Sequence, residues 1–200
     1  MPQLQKGRKQ RDSLIWAAAK LFRRQGYSGT GLRDILAASG AARGSLYPYF
    51  PDGKEQIGAA AVTAAGGLVT ETFAELVRQA DNPADFLRRY TDLLVRWLEA
   101  SNFRDGCPIT TTLLETAPDS EAITEAGRAV FADWRAVMET LLTQHHWPAA
   151  QIPATATAVI AGLEGALLLA RVQGSAQPVR DTTQALCQLL GENQSRQARG

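Results

Sequence analysis

Two hundred residues are enough for one or two packed units, and a composition of 45% hydrophobic and 20% charged residues excludes a disordered or collagen-like chain. Two cysteines exclude a disulfide framework, and no apolar N-terminal stretch reads as a signal peptide, so a reducing cytoplasm is the expected compartment. The net charge of +1 conceals an asymmetry: residues 1–54 hold ten Lys/Arg against three Asp/Glu (+7), and residues 55–200 hold eleven against seventeen (−6), which points to a polyanion partner for the head alone.

Met1 to Gln10 is polar and basic and reads as a flexible arm. Leu14, Ile15, Ala18, Leu21 and Phe22 form one stripe at helical spacing, predicting a helix over 11–25 that Gly26 ends. Thr30 precedes a second apolar run, Leu32, Ile35 and Leu36. Its hydroxyl can accept from a free N–H of the first turn, and Asp34 sets negative charge near that positive helix end. Gly40 stops this helix, and a third begins at about residue 42. Two helices of this length around a Gly-containing turn make a helix-turn-helix, whose second helix enters the DNA major groove.

A fourth helix is predicted over 53–80, with Ala64-Ala65-Gly66-Gly67 a weak place for a bend. Pro83 opens the next, carrying Phe86, Leu87, Tyr90, Leu93, Leu94 and Trp97, and residues 101–106 form a loop. Pro108 opens a short helix to about residue 116, and Pro118-Asp119-Ser120 caps one that reaches about residue 144. After a loop over 147–153 come a helix over 154–172 and a last one from Pro178, with residues 193–200 frayed. The longest uncharged run, 140–163, is broken by Gln144, His145, His146, Pro148, Gln151 and Pro153, so no membrane span is expected. No stretch alternates with period two. The chain reads as all-α, about nine helices.

Stepping 100° per residue around the third helix puts Ala42, Leu46, Tyr49 and Phe50 inside. Gly44 and Pro48 face directly away, flanked by Arg43, Tyr47 and Ser45. That face suits a groove: Gly44 permits close approach, Arg43 can fork onto guanine, and Ser45 can pair with several bases. Leu14-Ile15, Ala17-Ala18, Leu21-Phe22, Gly26-Tyr27, Thr30, Asp34-Ile35, Ser39-Gly40, Gly44, Leu46-Tyr47, Tyr49-Phe50 and Lys54-Glu55 together resemble the N-terminal signature of TetR-type transcriptional regulators. Phe50-Pro51-Asp52-Gly53-Lys54, with Gly106-Cys107-Pro108-Ile109, is similar to the LmrA/YxaF branch of that family. The resemblance implies a helix-turn-helix DNA-binding domain over 1–54 and a helical effector-binding and dimerisation domain over 55–200. It implies base or phosphate contacts at Arg33, Arg43, Gly44, Ser45, Tyr47 and Tyr49, and phosphate contacts at Thr30 and Lys54. Tyr49 reads equally as core. Pro48 departs from the pattern, because it cannot donate to the Gly44 carbonyl and biases Tyr47 away from helical dihedrals.

TetR-type bodies enclose a small-molecule pocket. The resemblance therefore offers Trp97, Phe103, Phe131 and Trp134 as walls, Cys107 beside them, and Glu115 and Glu164 as orienting groups; the aromatics read equally as core. Cys107, at a helix N-terminus, is also open to a redox role. His145 and His146 share no helix face and no zinc-ligand spacing, so neither metal nor cofactor is expected, and no nucleophile motif suggests an enzyme.

Ala154, Ala158, Gly162, Ala166 and Ala170 fall four apart along one ridge, with Val179, Leu186 and Leu190 as a second wall, predicting a twofold homodimer. The ridge packing inside the monomer is the other possibility. With these features the resemblance implies a dimeric repressor of a palindromic operator in double-stranded DNA, released by a small apolar or aromatic effector. The alternative is a regulator with a solid body, controlled by a protein partner or by Cys107 oxidation.

Overall fold

A computed structural model describes residues 2–197, with side chains described over 7–191 except that of Arg43. The described residues form eight α-helices and two 3-10 turns, with no strand: α1 Pro2–Gln25, α2 Leu32–Ser39, a 3-10 turn Arg43–Ser45, α3 Lys54–Gln79, α4 Pro83–Ala100, α5 Pro108–Thr116, α6 Glu121–Gln144, a 3-10 turn Ala149–Gln151, α7 Ile152–Gln173 and α8 Gln177–Gln197. The all-α reading holds, and proline marks the starts it was given: Pro83 follows the cap Asn82, whose side chain accepts from Asp85 N–H at 2.9 Å, and Pro108 follows Cys107.

Three local expectations are corrected. The basic segment expected as an arm is the first part of α1, since Pro2 is tolerated in the first turn and the residues after it are mostly good helix formers; Met1 lies outside the described residues. At the other end α8 continues to Gln197, past the point where fraying was expected, and the last three residues lie outside the described ones. Thr30 does not cap α2. Its hydroxyl donates to the Gly26 carbonyl at 2.8 Å and its side chain is fully buried, while Gly31 takes the cap position and donates its N–H to Asp34 Oδ2 at 2.8 Å.

The third helix is the largest departure. A single 3-10 turn spans Arg43–Ser45, and the chain then passes through turns to Gly53. Pro48 has no N–H for the Gly44 carbonyl, Gly44 itself is a poor helix residue, and Ser45 Oγ donates to the Ala42 carbonyl at 2.6 Å. The ladder resumes only with Tyr49 and Phe50, both donating to the Leu46 carbonyl at 3.0 and 2.8 Å. Leu46 and Phe50 are buried as the helical phase required; Ala42, assigned inward by that phase, is exposed.

Packing divides the chain differently from the boundary expected at residue 54. One unit comprises Met1–Leu68 with Cys107–Phe131, the other Val69–Gly106 with Ala132–Gly200. In the first, Leu14, Ala18, Phe22, Ile35, Leu46, Phe50, Ile57, Ile109 and Ile123 form the core, and Ser13 Oγ donates to the Ser39 carbonyl at 2.7 Å to tie α1 to the end of α2. α3 and α6 each contribute residues to both units. Over its length α3 is unbroken at Gly66-Gly67, where a bend was allowed. It and residues 149–173 are long and apolar enough to cross a membrane by length and composition alone, but Ile57, Ala61, Val62, Ala65, Phe73 and Leu76 of α3 are core.

In the second unit α4 and α7 both pack against α8. Thr91 and Thr183 hydrogen-bond to one another while buried between α4 and α8, and a Cβ on Gly162 would stand 3.5 Å from both Leu186 and Thr182. Ala166, Ala170 and Leu190 are buried within the monomer. The small-residue ridge therefore serves α8 of its own chain, and Gly162, Ala166, Ala170 and Leu190 are withdrawn as a dimer face; Leu186 is half-buried beside them. What α7 leaves uncovered lies on another side: Ala158, Ala161, Gly165, Leu168, Leu169 and Val172 are exposed. The exposed stripe lies about a fifth of a turn from the ridge and shares Ala158 with it, because spacing alone cannot tell which side of a helix its own chain will cover.

The two glycines of α3 separate by environment. A Cβ on Gly66 would overlap the Val130 side chain, whereas one on Gly67 meets nothing within 4 Å. Gly66→Ala is expected to destabilise the protein by about 1–3 kcal/mol through overpacking, and Gly67→Ala to stabilise it by about 0.5–1 kcal/mol. Urea melts of the two variants check the opposite signs.

Candidate nucleic-acid interface

The head displays its chemistry from α2, the 3-10 turn and the start of α3. Arg33 is exposed on α2, Gly44 is exposed with open space where a Cβ would stand, and Tyr47 is 63% exposed. Leu46 and Phe50, in the core, anchor the turn between them and set Tyr47 outward. Ser45 is half-buried with its hydroxyl proton given to Ala42. Tyr49, left open between core and groove, is half-buried, and its hydroxyl lies 3.2 Å from where a Cβ on Gly7 of α1 would be; its ring packs beside that helix. The Arg43 side chain lies outside the described residues. Thr30, offered for a phosphate, has no surface to offer one.

Lys54 begins α3, after Gly53 with φ +65°. Its ammonium stands 4.1 Å from the centroid of the Tyr27 ring, a cation–π contact. Partial burial pulls its pKa down, and the nearby Glu115 charge opposes that. Glu115, on α5, accepts from Tyr27 N–H at 3.2 Å through one oxygen and from Ser28 N–H at 2.7 Å through the other. Burial pushes the Glu115 carboxyl up, but the Ser28 and Tyr27 hydrogen bonds and the Lys54 charge together hold it below the ordinary value. Tyr27 is pushed up, first by burial and then by Glu55. Glu55 in turn accepts from the Ser120 hydroxyl at the start of α6.

Both oxygens of Glu115, expected as a ligand-orienting group, accept from the turn between α1 and α2. No local spacing links residues 27, 28 and 115. Only Gly26, with φ +81° and no room for a Cβ beside the Glu115 carboxylate, carried a trace of the contact.

The residues expected around an effector are drawn from both units. Cys107, Glu115 and Phe131 belong to the first unit, and Trp97, Phe103, Trp134 and Glu164 to the second. Cys107 is half-buried at the cap of α5. Phe103, with φ +58°, closes α4 by donating its N–H to the Leu98 carbonyl at 2.8 Å. Trp134 is 2% exposed and packs on Phe73, whose ring also meets Phe86 and Tyr90 edge-on at 5.4 and 4.8 Å between centroids; this is core. Trp97 is 48% exposed. A groove of about 490 Å³ on α4 and α8 is lined by residues including Arg88, Thr91, Asp92, Arg180, Thr183 and Cys187, with none of the expected set among its walls. Burial pushes the Cys187 thiol up against the pull of Arg88, keeping it protonated.

A basic head with an outward turn, on an all-helical body, is the architecture of a helix-turn-helix transcriptional regulator. Residues 14–61 match the family model of bacterial regulatory proteins of the TetR family, and residues 83–185 match that of the LmrA/YxaF-like transcriptional regulator C-terminal domain. The HTH-type transcriptional regulator LmrA of Bacillus subtilis (strain 168) is 31% identical over 180 residues, covering 90% of this chain and 96% of that protein. The uncharacterised regulator YxaF of the same strain is 28% identical, covering 84% and 88%. Among solved structures, a TetR transcriptional regulator from Chloroflexus aurantiacus J-10-FL superposes with a TM-score of 0.80 at 30% identity, covering 94% of this chain and 98% of that one. The chain belongs to the TetR family of transcriptional regulators, and its C-terminal part to the LmrA/YxaF-like branch, so it is a regulator of transcription and not an enzyme.

The two tryptophans offered as one pocket wall separate in energy. Trp134→Ala is expected to cost about 3–5 kcal/mol by emptying a core site, and Trp97→Ala to stay within about 0.5 kcal/mol of the parent. Denaturant titration followed by circular dichroism measures both.

Proposed function

We propose that this regulator is a dimeric repressor, acting in the cytoplasm, that holds a palindromic operator through its basic head and releases it when a small apolar or aromatic molecule occupies the body. The observation that carries the DNA half is the outward turn: Tyr47 exposed, Gly44 open and Arg33 exposed beside it. Arg43 enters from the sequence pattern, as the fork that reads guanine. Arg43→Ala is expected to relax base preference at one position of each half-site, at a cost of about 1–3 kcal/mol. Lys54→Ala should weaken binding to all sequences alike and flatten its salt dependence. Selection on randomised duplexes reads both, and an unchanged sequence preference for Arg43→Ala refutes the assignment.

The dimer half rests on the stripe that α7 leaves uncovered. Ala158, Ala161 and Gly165 permit close helix approach, and Leu168, Leu169 and Val172 add apolar area. A twofold axis on this stripe would bring a second copy of the same surface against it, and half-sites one DNA turn apart require two heads about 34–36 Å apart or a multiple of that. Leu168→Glu with Val172→Glu is expected to give helical monomers with lost operator affinity; a wild-type dimer of that variant in sedimentation places the interface elsewhere. Ala166→Trp, by contrast, should unfold the protein before it separates it.

Release is a population shift: a ligand that prefers the conformation with parted heads moves the equilibrium by its difference in affinity. α3, one unbroken helix with residues in both units, is the element whose shift would move the heads. The alternative is control by a protein partner or by oxidation of the half-exposed Cys107. Loss of operator binding on adding a small molecule under reducing conditions separates the two readings.

A further inference from the structure

We infer that Glu115 is an internal anion that competes with the DNA backbone for Lys54, and so limits how tightly the head grips any duplex. The inference rests on the reading that Lys54 meets phosphate.

Gly26 turns the chain with φ +81° and leaves the next two backbone N–H groups, those of Tyr27 and Ser28, without an acceptor of their own turn. Successive N–H groups in such a turn form a concavity for an anion. The two oxygens of Glu115 occupy it at 3.2 and 2.7 Å. A Cβ on Gly26 would collide with that carboxylate, so the turn is bare where the anion docks. Lys54 stands over the Tyr27 ring beside it, and the Glu115 and Lys54 charges act on each other. Two backbone N–H groups, the Ser28 side chain and an ammonium are donors that suit a phosphate oxygen as well as a carboxylate. Glu115 and Ser28 are exposed and Lys54 half-buried, so a polyanion brought to the head meets this cluster already neutralised from within. Removing the Glu115 charge takes away a neighbouring negative charge that draws on Lys54 and repels phosphate. A clip that merely held the turn would have the opposite effect, since losing it loosens the head.

The test is a double-mutant cycle on the full chain, with a labelled duplex of random sequence about 30 base pairs long, titrated over a range of salt. Glu115→Gln should bind about two- to fivefold more tightly at low salt, the size of one solvent-screened charge interaction. It should also steepen the slope of log affinity against log salt by up to about 0.9. In a Lys54→Gln background the same change should bring no gain. Glu115→Asp keeps the charge and should keep the wild-type slope even if the turn loosens. Weaker binding by Glu115→Gln, an equal effect in both backgrounds, or a steeper slope for Glu115→Asp overturns the inference. A wild-type chain that binds no duplex at any salt overturns the phosphate reading beneath it, and that result is distinct from binding without coupling.

Discussion

Two backbone N–H groups at the end of α1 have no acceptor near them in sequence, and much of the first unit follows from where that acceptor comes from. The Glu115 carboxylate satisfies both, which fixes α5 against the turn and leaves Thr30 free to donate back to Gly26 rather than cap α2. Asp34 then supplies the acceptor at the start of α2. A second tie of the same chemistry, Glu55 with Ser120, joins the start of α3 to the start of α6. One carboxylate from a later helix, Glu115, thus holds a turn in the segment whose net charge is most positive.

Pro48 acts on the same segment by subtraction. With no N–H at that position the chain leaves the helical path after Ser45, and Tyr47 is shown outward from a turn held at Leu46 and Phe50. A turn pinned at two core residues can aim a side chain as firmly as a helix of that length, whose isolated stability would be marginal.

What could be read from the residues is what local chemistry decides. Proline and glycine placed most helix ends correctly, the apolar phase placed Leu46 and Phe50 in the core, and the motif placed the family. Pro48 was recognised as a disturbance, but how far the helix would give way depends on Ser45 and Gly44 offering the backbone another route. Thr30 was misread because a capping residue and a residue one step before the cap look alike until the acceptor is known. Glu115 was misread because the contact that defines it joins positions far apart in the chain. The ridge on α7 was found, but Gly162 on it faces Leu186 and Thr182 of α8, and spacing alone does not say which neighbour a row of small residues will meet.

The early start of α1 changes the thermodynamics of whatever polyanion the head meets. Arg8, Lys9 and Arg11 are exposed on a helix that is already formed and that packs at Gly7 beside Tyr49. A basic arm that ordered itself on contact would surrender chain entropy at that moment and add to the heat-capacity change of association. A formed helix has met that cost during folding. The dominant entropic contribution left to the encounter is then the favourable one, the ions that the nucleic acid gives back to solution.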